Sequence, residues 1–341
     1  MPSTRPNLFD HARTDRCQDA FFGWLCAWAD PEHATADPLL HRAGRAFIAH
    51  LYGAHDRKVP QYTGAVPRTM YHGIDLVVFL KADEGDHAIL IEDKVFAGSQ
   101  GRRMDRRIEK LKKLHPGIDV LPIHVQTCFI GHPIPSRNFR SIDLQGMLSF
   151  LLRSEWEPIT DPIFTGYRDH LARRSDQAQQ HERMKVSEWK ADQWLGFFNA
   201  LRSRVEKHGC SATFERSPRN AGMLAIFRME NVHLPEGGLF CVELFGRSEP
   251  LIMVRTNGRD PGRTERTRQM LQPIANANDI PIERPDDGLA ADGATVATVR
   301  KEEFLLPDGH IDAGRVEQIM TGLNQILLAR TVAAARASLV E

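Results

Sequence analysis

The chain has 341 residues, of which 42% are apolar and 26% charged, and its 44 basic side chains are balanced by 44 acidic ones. This is an ordinary globular composition at two-domain length, and no apolar run approaches the roughly 20 residues of a membrane span. A net charge of zero gives no global pull toward nucleic acid, so such a partner would have to be held by a local patch. The opening Met-Pro-Ser-Thr-Arg-Pro-Asn has no apolar core and predicts no signal peptide. The five cysteines are scattered without a CxxC pair, which argues against a disulfide framework and a cysteine zinc site. A reducing cytoplasm is the expected compartment.

In chain order, residues 15–29 are predicted to form a helix, with Phe21, Leu25 and Trp28 at helical spacing and Asp30-Pro31 as its stop. Gln18 and Asp19 lie on its first turns. A second helix is predicted over 38–52, and the stretch through Val59-Pro60 to Arg68, rich in basic residues, glycine and proline, reads as a loop. Two apolar strands follow, 74–80 and 87–96, joined by a polar turn over 81–86. Both are nearly continuous apolar runs, as expected for strands covered on both faces. Residues 99–114 read as a helix with Met104, Ile108 and Leu111 on its core stripe. Seven basic residues crowd that helix (Arg102, Arg103, Arg106, Arg107, Lys110, Lys112 and Lys113) against Asp105 and Glu109. A strand over 120–130 and helices over 142–152 and 161–180 complete the first half, with Asp143 placed to cap the former.

A polar stretch at 177–184 marks a boundary. Beyond it come an amphipathic helix over 187–207, strands at 212–216, 224–229, 239–245 and 251–256, a helix over 262–277, a strand at 295–300 and a terminal helix over 313–337. Two domains are therefore expected, 1–182 and 183–341, the second a smaller α+β unit of unassigned role.

The chemistry concentrates in the 74–96 hairpin. Charged side chains inside apolar strands are costly unless paired or liganded. Alternation along the second strand turns Glu92 and Lys94 one way and Asp93 the other. Pairing across the 81–86 turn can bring Asp75 level with Glu92 and Lys94, making a hard-oxygen pocket suited to Mg²⁺ or Mn²⁺, to which the Asp93 backbone carbonyl can add. Lys94 is then placed to serve the attacking water. A buried Asp75–Glu92–Lys94 ion network, or an edge strand with one wet face, accounts for the same residues without metal. His72 is read as a surface residue at a strand start, and His124 and His132 have no companion at metal spacing.

Asp75, an interval of sixteen residues, then Glu92-Asp93-Lys94 resembles the PD-(D/E)XK nuclease superfamily. Gln-Asp-Ala-Phe-Phe-Gly-Trp-Leu at 18–25 and Glu-Asp-Lys-Val-Phe-Ala-Gly-Ser-Gln at 92–100 look more narrowly like a bacterial and phage-related branch whose usual form is E-N-K, with Asp93 in place of the Asn. Where that pattern often carries a Gln and a Tyr in the following helix, this chain has Arg103 and Arg107. The resemblance covers about residues 10–180. It implies an α/β, restriction-endonuclease-like mixed sheet flanked by helices. It also implies Mg²⁺ or Mn²⁺ held by Asp75, Glu92, Asp93 and Asp19, with Asp75, Glu92, Lys94 and Gln100 as the catalytic set. Cutting of DNA follows from the resemblance, and homodimers are common in the family. The basic helix, through Arg102, Arg103, Arg106, Lys110 and Lys113, is the expected phosphate-contacting surface. A nuclease-like fold retained for binding nucleic acid or a partner protein is the competing expectation.

Overall fold

The computed structural model describes residues 7–11, 15–94, 101–127, 138–216, 224–234, 238–258, 260–286 and 294–337. Among these the chain falls into two compact units, the first ending at Asp176 and the second starting at Gln177. Each is a mixture of helices and one sheet.

The first unit opens with a single helical turn, α1 (Leu8–His11), followed by α2 (Asp15–Ala27) and α3 (Pro38–Gly53). Asp37 caps α3 by accepting from the backbone N–H groups of Leu39 and Leu40, and Pro38 fits the first turn, where no N–H is needed. The five-stranded sheet has the order β1 (Tyr62–Tyr71), β2 (Ile74–Ala82), β3 (His87–Lys94), β4 (Asp119–Gln126), β5 (Arg140–Asp143). The first three strands form an antiparallel meander, and β4 and β5 run parallel to β3. The β3–β4 crossover is made by α4 (Gly101–Leu114). Asp143 ends β5 and caps α5 (Leu144–Leu151) by accepting from Gly146 N–H at 2.8 Å. Helix α6 (Pro162–Gln179) follows.

The apolar pattern explains why β2 and β3 sit at the centre. Ile74, Leu76, Val77, Val78 and Leu80 of β2 and Ala88, Ile89, Leu90 and Ile91 of β3 are all buried, so both faces of the hairpin are covered. On one face Gly23 of α2 lies against Leu76 and Thr69. On the other, Leu111 of α4 packs with Val77, Ala88 and Leu90.

The segment expected to be a loop up to Arg68 instead forms strand β1 from Tyr62 onward. Its Pro67 is tolerated because β1 is an edge strand, where a missing N–H need not break the ladder. His72 and Gly73 make the two-residue turn into β2, with φ of 51° and 84°, the left-handed conformations that a tight hairpin demands. The short strand β5 is likewise additional to the predicted elements.

The second unit contains an antiparallel sheet ordered β11 (Thr295–Val299), β10 (Leu251–Thr256), β9 (Leu239–Gly246), β7 (Ala225–Met229), β6 (Ala212–Arg216), with β8 (Val232–His233) also on β9. Helices α7 (Ala191–Glu206), α8 (Pro261–Ala277) and α9 (Ala313–Ala337) accompany it. Trp194, Phe198, Phe214, Phe227, Val242 and Leu323 belong to its continuous core. Among the described residues no helix of either unit is long and apolar enough to cross a membrane.

The α2–α3 contact generates a test of the packing. A Cβ built on Gly44 would lie 2.6 Å from the Leu25 carbonyl oxygen and 2.7 Å from the Ala29 nitrogen, both backbone atoms. Alanine gains about 1 kcal/mol of helix propensity over glycine, but these helices have no room for the methyl group. Gly44→Ala is expected to lower stability by about 1–3 kcal/mol, an overpacking cost, in urea unfolding; a gain in stability would show that the helices separate freely.

Candidate functional site

The β2–β3 register decides which charges meet. Leu76 stands opposite Ile91, and the antiparallel pairing continued by one step sets Asp75 opposite Glu92. Directly opposed residues share a face, which is also the face covered by α4. In the parallel direction Glu92 is in register with His124 of β4, and His124 with Ser141 of β5. Asp75, Glu92, His124 and Ser141 thus form one polar row across four strands. His124 Nδ1 lies 3.5 Å from Ser141 Oγ.

Two opposed carboxylates, with Glu92 buried, call for a cation, and α4 supplies it. Arg107 Nη1 contacts Glu92 Oε2, and Nη2 lies 3.7 Å from Asp75 Oδ1. Glu92 is 3% exposed and Arg107 8%. A buried charge is tolerable in such a place only when paired. The guanidinium fork suits this task, because its separate N–H groups can address two carboxylates at once.

The opposite face of β3 holds a second polar arrangement. Asp93 is fully buried and accepts from Nε2 of Gln18 on α2. The other end of the same amide, Gln18 Oε1, accepts from Thr127 Oγ1 and, at 2.8 Å, from the Tyr167 hydroxyl of α6. With its oxygen taken by two donors, the Gln18 amide can present only its N–H to Asp93. Burial raises the Tyr167 phenol well above the ordinary tyrosine value, and the negative charge of Asp93 adds to the effect, as does that of Asp19. Tyr167 also stacks on Phe21 at a ring separation of 3.9 Å, tying α6 to α2.

The expected site residues therefore separate. Asp75 and Glu92 come together. Asp93 turns its side chain to the far face, as strand alternation requires, so it is not a side-chain partner of Glu92. Asp19 is buried on α2, and its charge is felt at Tyr167 on the Asp93 side. Asp19 does not join the Asp75–Glu92 pair, and Asp93 is expected there only through its backbone carbonyl; among the described residues no group of three or more His, Cys, Asp or Glu side chains is arranged to hold a metal ion. Lys94 closes β3 in register with Gln126, and its side chain lies outside the described residues. Gln100 lies outside them as well. Arg102 and Arg103 belong to the first turn of α4, with side chains not described. Arg106, Lys110 and Lys113 are exposed on α4, Lys110 donating to the His72 carbonyl oxygen at 2.8 Å.

The donor chemistry nevertheless suits a hard cation. Mg²⁺ commonly takes one or two protein carboxylates and completes its shell with water and substrate phosphate oxygens. Asp75 and Glu92 are such a pair. No family model, no curated protein and no solved structure matches the chain. The site is thus read from its own geometry. Arg107, Gln18, Thr127, Tyr167 and His124 were not among the residues singled out for it. For Arg107 a signal existed, since it stands four residues before Leu111 and three after Met104, on the core stripe itself.

Two outcomes test the Asp93 face. Gln18→Ala removes the acceptor of Thr127 and Tyr167 and a donor to Asp93, and is expected to cost about 2–4 kcal/mol in urea unfolding; a loss below about 0.5 kcal/mol would deny the network any structural weight. The raised Tyr167 ionisation carries a sign. The folded state keeps its proton while the unfolded state releases it above about pH 10, so stability should fall as pH rises past that value. Tyr167→Phe should flatten the fall above about pH 10, and an unchanged slope would contradict it.

Proposed function

We propose that the first unit is a divalent-metal-dependent nuclease of the PD-(D/E)XK, restriction-endonuclease-like kind, hydrolysing phosphodiester bonds of DNA. The observation that carries this reading is the placement of half-buried Asp75 opposite buried Glu92 on one face of the β2–β3 hairpin, with Lys94 two positions further on. An antiparallel meander extended by two parallel strands, with α2 and α4 on its two faces, is in keeping with the mixed sheet flanked by helices that the resemblance implies. DNA as the substrate comes from the resemblance alone, and a role in DNA defence or processing is an analogy at the level of fold.

In this reading Asp75 and Glu92 hold Mg²⁺ or Mn²⁺. When bound, such an ion polarises a phosphoryl oxygen and lowers the pKa of a coordinated water. The protein's own part is positional. Asp75 and Glu92 are fixed by strand register, Lys94 orients the attacking water, and burial of Glu92 limits access of bulk solvent to it. The exposed Arg106, Lys110 and Lys113 hold the phosphate backbone, joined by Arg102 and Arg103 at the start of the helix. Gln100 and the Asp93 backbone carbonyl are the further candidates for this chemistry. Arg107 on both carboxylates also favours a second reading, a nuclease-like fold that binds nucleic acid without cutting it.

Purified protein with Mg²⁺ or Mn²⁺ is expected to nick or cut DNA in a gel assay, and chelation should stop it. Glu92→Ala and Lys94→Ala should each lower the rate by about 10²-fold or more. Equal cutting by the wild type and both variants would sink the assignment. Salt-sensitive DNA binding without any cutting would favour the second reading.

A further inference from the structure

Among the described side chains of α4, Arg107 is the basic residue that is buried, while Arg106, Lys110, Lys112 and Lys113 face solvent. Its guanidinium reaches Glu92 Oε2 and Asp75 Oδ1, one oxygen from each strand of the hairpin. These are the same carboxylates that a divalent ion needs. A cation with two or more charges and a guanidinium cannot both lie against them without repulsion, because Glu92 and Arg107 are buried and screening there is weak.

We propose that Arg107 is a resident counter-ion that competes with the divalent metal for Asp75 and Glu92. The inference rests on the nuclease reading and adds a control to it. In the metal-free protein Arg107 neutralises the carboxylate pair. Metal binding requires the guanidinium to leave, so the metal affinity of the wild type is lowered by the free energy of the arginine contacts. The polar row can in this way stay folded without metal, and the site loads only when the ion displaces an arginine already in place. The same geometry predicts that a single-point cation at this position competes less well, since lysine cannot address two carboxylates with a planar fork.

The test is Mn²⁺ binding by isothermal titration calorimetry on the full chain, with folding of each variant checked by circular dichroism. Arg107→Gln is expected to bind Mn²⁺ about tenfold or more tightly than the wild type, on the scale of a charge-assisted hydrogen bond. Arg107→Lys should fall between them. Adding Glu92→Gln to Arg107→Gln should remove the gain, which locates the ion. Thermal unfolding gives an independent readout: Mn²⁺ should raise the Tm of Arg107→Gln more than that of the wild type. If the wild type binds Mn²⁺ and Arg107→Gln binds it no more tightly, the competition is overturned while the nuclease reading stands. If neither binds Mn²⁺, both fall. Should Arg107→Gln fail to fold, Arg107→Lys carries the decision, and affinity no higher than wild type overturns the proposal.

Discussion

Strand β3 is held from both sides by charge, and the architecture of the first unit follows from that constraint. A buried strand that carries Glu92, Asp93 and Lys94 in succession must find partners on each face, because an unpartnered buried carboxylate costs several kcal/mol. Asp93 is met by Gln18 from α2 and Glu92 by Arg107 from α4. Each helix is thereby assigned a face of the sheet by a polar contact as well as by its apolar stripe. The strand cannot slip by one residue without exchanging these partners, which would bring Asp93 to a guanidinium and leave Glu92 facing an amide.

The two faces are built differently. On the Asp93 side one amide links three partners, its oxygen taking the Thr127 and Tyr167 hydroxyls and its nitrogen serving the carboxylate. Such a chain of donors and acceptors has one arrangement and resists rearrangement. On the Glu92 side a single arginine spans two carboxylates with one closer and one longer contact. That face rests on one side chain. A strand fixed by a linked set of hydrogen bonds on one face and by a single side chain on the other keeps its register even where that one contact changes.

Much of this was legible in the sequence because it depends on local rules. The apolar runs and the acidic break mark the β2–β3 hairpin, alternation separates Asp93 from Glu92, and Asp143 announces a helix start. Strand β1 was hidden because Gly64 and Pro67 and the surrounding basic residues read as loop, and only its position at the sheet edge makes that proline acceptable. Arg107 was hidden among other basic residues, where charge alone points outward although helical phase points inward. Gln18, Thr127 and Tyr167 meet across separations of over a hundred residues in sequence. No periodicity reports such a meeting. His124 joins the row through the β3–β4 register, a quantity the sequence does not display.

Strand β1 has a consequence for assembly. It is ten residues long and forms one edge of the sheet, with Val66 and Met70 exposed. A strand of that length with apolar side chains would ordinarily be a template on which a further strand could grow. Pro67 interrupts the row of outward donors near its middle, and Arg68 beside it is exposed and charged. The edge is therefore a poor seam for extending the sheet from one molecule to the next, and β1 can close the sheet without inviting a copy of itself.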